Sequence, residues 1–119
     1  MARSLETGFQ RADYTVLAAD HGTTFDNAGA AGAVTFTLPT IANGLKFRFA
    51  GLVDQNIVIA SAEGENVLGI GNATADTLTF STSSNKIGAS IEVEARYVGG
   101  VLKWVPTQRT SATLTLGDT

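Results

Sequence analysis

Apolar and polar side chains alternate along two neighbouring runs within residues 32–50, and this pattern constrains the fold more than any other feature of the chain. A corner at residues 39–44 separates the runs, whose apolar positions are Val34, Phe36, Leu38, Leu45, Phe47 and Phe49. Because successive side chains of a β-strand point to opposite faces, the alternation predicts two half-buried strands, each with one apolar and one polar face.

The rest of the chain repeats this style, with short alternating runs broken by Gly, Asn, Asp and Ser. Turns are expected at residues 71–76 and at Gly99–Gly100, and Pro106 is expected to end the last clear strand. No window sustains a helical period with caps, and no internal repeat of fixed period is found. The further predicted strands are residues 14–18, 23–27, 57–60, 67–70, 78–80, 91–97 and 101–105, with one more strand or an extended arm near Leu114 and Leu116.

These strands and their spacing predict an all-β fold. The expected form is a jelly-roll-like sandwich or barrel of about 8–10 short antiparallel strands.

The length of 119 residues is close to the commonest domain size of roughly 100–150 residues, so one domain is expected. Residues 1–12 have no clear period and are interpreted either as a frayed terminus or as an extended N-terminal arm that docks on a partner. Residues 13–119 are predicted to form a single β domain with a Thr-rich C-terminal tail. Only 16% of the residues are charged, against about 25% in an average domain, which indicates a surface partly covered by a partner or by copies of the chain.

Charge and cysteine content exclude several classes of function. The net charge is −3 and the eight Lys and Arg residues are scattered, which argues against binding to nucleic acid or to a membrane surface. The chain has no cysteine, so disulfides and thiolate metal sites are excluded. The first residues lack the apolar run of a secretory signal, and no run approaches the ~20 apolar residues of a spanning helix. A soluble protein made in a cytoplasm is therefore expected.

Few side chains could carry out catalysis. His21 is the only histidine, and no Gly-x-Ser-x-Gly motif accompanies it, so we interpret it as an exposed turn residue rather than part of a triad. Glu92 and Glu94 share the polar face of one predicted strand, where either a solvated face or a pairing with Lys103 across the hairpin is expected. Trp104 is interpreted as a core residue. The sequence thus predicts no enzyme, no cofactor, no metal site and no small-molecule substrate.

Five segments together resemble small structural proteins of tailed bacteriophages. In those proteins a strand with TFTLP precedes a GL-x-F-x-F strand, and a hairpin of the form V-E-A-x-Y-V-x-G-x-W-x-V lies near the end. The corresponding segments here are YTVLA from residue 14, GTTFDN from residue 22, AVTFTLP from residue 33, GLKFRF from residue 44 and the hairpin of residues 91–105. The resemblance covers roughly residues 14–105.

The group that the chain resembles includes capsid decoration (cement) proteins and β-modules of tails and tailspikes. The resemblance implies a jelly-roll-like domain, often trimeric, on the outer face of a capsid, with terminal arms that contact the shell and with no active-site residues. We therefore expect a homotrimeric virion protein, made in the host bacterial cytoplasm, that binds the major capsid protein and stabilises the shell through multivalent contacts. The candidate capsid-contact residues of the arm are Arg3, Leu5, Phe9 and Arg11.

Two alternatives remain open. A tail, baseplate or receptor-recognition module would need an exposed recognition surface, for which the polar residues 81–86 are the candidate loop. A carbohydrate-binding module would need exposed aromatic platforms, and most of the aromatic positions are expected in the core.

Overall fold

The computed structural model of the chain describes residues 13–63, 66–69, 72–80, 87–109 and 115–117. Eleven strands lie within these ranges, and the only helical segment in them is a short 3₁₀ turn at Ala18–Asp20. The strands are β1 (Tyr14–Thr15), β2 (Thr24–Asp26), β3 (Val34–Thr37), β4 (Lys46–Ala50), β5 (Ile57–Ala60), β6 (Val67–Gly69), β7 (Asn72–Ala75), β8 (Thr77–Phe80), β9 (Ser90–Val98), β10 (Val101–Arg109) and β11 (Thr115–Gly117).

The all-β prediction is confirmed, and the strands form two mixed sheets. A five-stranded sheet has the order β1-β3-β5-β8-β11, and a six-stranded sheet has the order β2-β4-β9-β10-β6-β7. The turn expected at residues 71–76 is wrong for most of its length, because β7 occupies residues 72–75 and pairs with β6.

Strands β1 to β5 cross from one sheet to the other at every step. Each strand re-enters its own sheet in the same direction, so β1–β3, β3–β5 and β2–β4 are parallel pairs, as are β6 and β10. The expectation of antiparallel strands throughout is therefore wrong, and so is the barrel alternative, because the sheets do not close. The segments that connect these strands must pass from one sheet to the other. Neighbouring antiparallel strands, in contrast, can be joined by a two-residue hairpin.

The hairpin β9–β10 lies at the centre of the six-stranded sheet, between β4 and β6. Its turn is the predicted one, since Gly99 and Gly100 have φ angles of 59° and 86°, which glycine adopts without steric cost. The prediction that Pro106 ends β10 is wrong. The backbone N–H of Trp104, two residues earlier, is donated to Asn66 O at 2.8 Å, so the nitrogen of Pro106 also points away from β9 and no β9–β10 bond is lost. The register with β9 shifts immediately afterwards.

One apolar core lies between the sheets, and aromatic rings dominate it. The ring centroid of Phe25, in the six-stranded sheet, lies 5.4 Å from that of Phe36 in the five-stranded sheet and 5.6 Å from that of Phe49. Phe36 and Phe49 are 5.1 Å apart across the same interface. The large, fully buried side chains are Trp104, Phe25, Phe36, Phe47, Phe49, Phe80, Leu38, Ile57, Ile59, Leu78, Ile91 and Val16.

A buried amide fixes the loop after β4. Asn27 has no exposed surface, and its Oδ1 accepts hydrogen bonds from the backbone N–H groups of Leu52 at 2.8 Å and Val53 at 3.3 Å. Its Nδ2 donates to Val53 O at 3.5 Å and to Gln55 O at 3.4 Å. A buried amide must be hydrogen-bonded, and these contacts anchor the loop after β4 at residues 52, 53 and 55.

Candidate functional site

The outer face of the five-stranded sheet carries no charged side chain among the described strand residues. Its outward positions on β1, β3, β5 and β8 are five threonines, one valine and one alanine, and we call this set the threonine face. The residues are Thr15, Thr35, Thr37, Val58, Ala60, Thr77 and Thr79. All except Thr15 are half-buried. The surface is therefore mostly β-branched and uncharged, and the larger apolar residues of the same strands occupy the inward positions.

The outer face of the six-stranded sheet is the opposite in character. Lys46 of β4 lies opposite Glu94 of β9, and Arg48 lies opposite Glu92. The β9–β10 register places Lys103 opposite Arg96 rather than directly opposite either glutamate, and the expected pairing of these glutamates with Lys103 stays a prediction. The two glutamates share this face as predicted, and β4 supplies the basic residues that lie opposite them. Local alternation carries no signal for that pairing.

Hydrogen bonds tie this charged face together. Arg96 donates to Glu94 Oε1 at 2.8 Å in an ion pair, and Thr107 Oγ1 donates to Glu92 Oε1 at 2.9 Å. Glu92 also borders an open depression of about 60 Å³, lined by Gly22, Thr24, Lys46, Phe47, Arg48 and Glu92. This volume holds a few atoms, whereas sites for small molecules have about 300–1,000 Å³.

His21 is exposed and directly follows the 3₁₀ turn, as predicted. Its Nδ1 accepts a hydrogen bond from the backbone N–H of Lys46 at 3.1 Å, which joins the turn to the start of β4. The neighbouring Asp20 is buried, and its Oδ2 accepts hydrogen bonds from Tyr14 Oη at 2.8 Å and from the backbone N–H of Leu17 at 3.0 Å. These hydrogen bonds of His21 and Asp20 hold the turn and join it to the start of β4.

Trp104 is buried in the core with its ring centroid 5.9 Å from that of Phe47, so the prediction of a core residue is confirmed. Within the described ranges no group of three or more His, Cys, Asp or Glu residues could hold a metal ion. No helix in the same ranges is long and apolar enough to cross a membrane. The arm residues Arg3, Leu5, Phe9 and Arg11, and the candidate recognition loop of residues 81–86, lie outside the described residues.

Sequence reasoning missed one feature, which is that large apolar side chains are exposed at both ends of β9. At its C-terminal end, residues 96–103 form the hairpin tip, where Tyr97 is 63% exposed and Val101 is 55% exposed. At its N-terminal end, Ile87 is 65% exposed and Leu52 is 50% exposed. With the exposed Asp54 we call Leu52 and Ile87 the end patch. The alternation of apolar and polar residues in β9 continues through Tyr97. It therefore does not show that the neighbouring strands end before this residue.

Comparison with known proteins gives no relative: no protein-family model, no curated protein and no solved structure matches the chain.

Proposed function

We propose that the chain is a structural protein of a tailed-bacteriophage virion that decorates the outer capsid surface. The observation that carries this proposal is the threonine face, because the rest of the described surface has charged side chains in its strands and this face has none. Depletion of charge at the centre of a surface is the compositional mark of a protein interface. The low share of charged residues in the whole chain, 16%, agrees with one uncharged sheet face that is used for contact with another protein.

The edges of the sheets support assembly in the same way. Strands β1 and β2 are the outermost strands at one end of the two sheet orders. An edge strand presents backbone N–H and C=O groups that a neighbouring chain can cover. A symmetric oligomer covers such edges with copies of itself, which supports the homotrimer proposed from the phage resemblance.

The proposed mechanism is multivalent binding. Each threonine face contributes a modest contact with the major capsid protein, and the copies of one trimer bind as a unit and hold several shell subunits together. In this proposal the N-terminal arm, with Arg3, Leu5, Phe9 and Arg11, adds a second contact with the shell.

The ring contacts between Phe25 and Phe36 and between Phe36 and Phe49 support a sandwich of the two sheets. The parallel pairs argue against the strand order of a jelly roll.

Co-sedimentation with expanded, empty capsids of the phage that encodes the chain tests the proposal. Thr35→Lys places a charge on the threonine face. Thr40→Lys is the matched control, since Thr40 is an exposed threonine between β3 and β4, outside the threonine face and outside the edge strands β1 and β2. We expect the wild type and Thr40→Lys to pellet at near-stoichiometric copy number, and Thr35→Lys to lose most of its binding.

Two results would contradict parts of the proposal separately. Equal binding by Thr35→Lys and the wild type would show that the threonine face is not the contact, and unchanged binding after deletion of residues 1–12 would exclude the arm as an anchor. A wild-type chain that does not bind capsids, but is present in a handful of copies per virion, would assign it to the tail. Binding to a glycan array instead would favour the carbohydrate-binding alternative.

A further inference from the structure

We propose that Asn43 is a site of spontaneous covalent modification, and that a backbone hydrogen bond of Gly44 controls the rate of the reaction. The side-chain amide of Asn43 is lost as ammonia, and the residue becomes aspartate or isoaspartate. The proposal rests on the Asn43–Gly44 sequence, on its exposure and on its backbone contacts, and it does not depend on the capsid assignment.

The dipeptide Asn43–Gly44 occurs once in the chain. The side-chain carbonyl carbon (Cγ) of an asparagine is attacked by the backbone nitrogen of the next residue, and a side chain on that next residue hinders the approach. Glycine has no Cβ and allows a close approach of its backbone. Each of the other five asparagines precedes a residue with a side chain, so we expect Asn43 to be the most reactive asparagine of the chain.

The reaction consumes water and releases ammonia. The Gly44 nitrogen loses its proton to a base of the solvent and bonds to Asn43 Cγ, while the Cγ–Nδ2 bond breaks and the leaving nitrogen takes up a proton. The product is a five-membered succinimide with two carbonyl carbons. Addition of water at Cγ breaks the new N–C bond and gives aspartate. Addition at the backbone carbonyl carbon breaks the original peptide bond and gives isoaspartate, whose main chain runs through Cγ.

Solvent reaches this dipeptide, because Asn43 and Gly44 are both exposed. They are the two central residues of a β-turn, which is closed by the bond from the backbone N–H of Leu45 to Ala42 O at 3.2 Å. Gly44 has a φ angle of 92°, the positive value that the third residue of a type II turn requires. Base and water therefore have access to both reacting groups without any rearrangement of the core.

The attacking nitrogen is hydrogen-bonded in the folded chain. Gly44 donates its backbone N–H to Ala95 O at 2.9 Å, and Ala95 donates its own N–H to Leu45 O at 2.8 Å. These two bonds attach the start of β4 to β9. Gly44 must release Ala95 before its nitrogen can lose the proton and turn toward Asn43 Cγ. The reaction is therefore confined to molecules in which this end of β4 has opened locally.

A neighbouring contact affects how often the start of β4 opens. Lys46, the first residue of β4, donates its backbone N–H to His21 Nδ1 at 3.1 Å, and its carbonyl oxygen accepts the N–H of Gly22 at 2.8 Å. His21 is exposed, so its replacement by alanine removes an acceptor at the start of β4 without opening a cavity in the core.

The modification changes the turn in two ways. Isoaspartate adds one carbon to the main chain between Ala42 and Leu45, whose hydrogen bond closes the turn. Either product also adds a carboxylate, which makes the net charge of −3 more negative by one. A converted copy therefore has a loosened junction between β4 and β9, and converted copies accumulate as the protein ages.

Peptide mapping by mass spectrometry tests the proposal, after incubation of the purified full chain in mildly alkaline buffer with and without a denaturing concentration of urea. We expect conversion at Asn43 ahead of the other asparagines in urea. In the native chain conversion should be at least about tenfold slower, which corresponds to a preference for the closed state of roughly 1.4 kcal/mol. Hydrogen exchange of the Gly44 amide measures the same opening, and conversion should be slowed at least by the factor that slows this exchange.

Three variants separate the chemistry of the site from its control by the fold. Gly44→Ala should slow conversion in urea, because the added Cβ hinders the attack. His21→Ala should speed both exchange of the Gly44 amide and conversion in the native chain, and leave conversion in urea unchanged. Leu52→Ser, at a 50% exposed site beyond the other end of β4, is the control and should convert as the wild type does in both conditions.

Other results overturn the proposal part by part. No conversion at residue 43 in urea, or conversion no faster than at the other asparagines, would exclude the site. Native conversion that is slowed by less than amide exchange would show that the bond from Gly44 to Ala95 does not control the rate. An unchanged native rate in His21→Ala would exclude His21 as an anchor of β4. A melting curve close to that of the wild type confirms that His21→Ala folds, and the wild-type comparison with and without urea needs no variant.

Discussion

Replacement of Asn27 by alanine is expected to destabilise the fold by about 2–2.5 kcal/mol. The short bond from Leu52 N to Oδ1, at 2.8 Å, should contribute about 1–1.5 kcal/mol, because its loss leaves a backbone donor without its partner. The three longer bonds, at 3.3–3.5 Å, should add about 1 kcal/mol together. For a domain of this size such a loss lowers Tm by roughly 10 °C.

Urea unfolding followed by tryptophan fluorescence measures this loss, since the chain has one tryptophan and that side chain is buried beside Phe47. Asn27→Asp is the informative companion variant. Its carboxyl would face the carbonyl oxygens of Val53 and Gln55 in a buried position, which raises the pKa of the introduced group above its value in the unfolded chain. The folded state then holds the proton more tightly, so the deficit relative to wild type is smallest below about pH 4 and grows as pH rises toward 7. An alanine variant within about 0.5 kcal/mol of wild type, or a pH-independent aspartate variant, would refute the reasoning.

Two further predictions concern the core and the turn. Phe25→Leu should lower the free energy of unfolding by about 1–2 kcal/mol more than Phe80→Leu, because aromatic pairs add about 0.5–1.5 kcal/mol to burial. Both rings are buried, but Phe25 packs against four other rings. Equal losses of Tm in the two variants would contradict this prediction. Gly100→Ala should cost about 1 kcal/mol in urea unfolding, because φ is 86° there while no heavy atom lies within 4 Å of the added Cβ, so strain alone acts. Gly32→Ala, with free space and no positive φ, is its control and should unfold at the wild-type urea concentration.

The positions of most strands could be predicted because they are set by local alternation; β7, which occupies residues expected to form a turn, is the exception. Phe47 and Phe49 face the core as expected, and the Gly99–Gly100 turn forms where the glycines allow it. Which strands pair could not be predicted, because an apolar stripe packs equally well beside any other stripe. The Pro106 prediction was wrong for a related reason, since the effect of a missing N–H depends on which neighbour it faces.

The candidate site divides in the same way. That the chain has little charge was visible in its composition, and the alternation identified the threonines of β3 as outward residues. The threonines of β3 and those of β8 form one uncharged face only because β3 pairs with β5 and β5 pairs with β8. The exposure of Tyr97 also depends on tertiary structure, because it results from the point at which the neighbouring strands stop.

By itself the sequence determined an all-β chain, its main strand positions, its aromatic core and its tight turn, because these follow from periods of two residues and from the conformations open to glycine. Tertiary structure alone decided the alternation of β1 to β5 between two sheets, the insertion of the β9–β10 hairpin between β4 and β6, and the contrast between the two outer faces. Those features depend on contacts between residues far apart in the chain, and the long connections leave the order and direction of strands to the packing of the whole core.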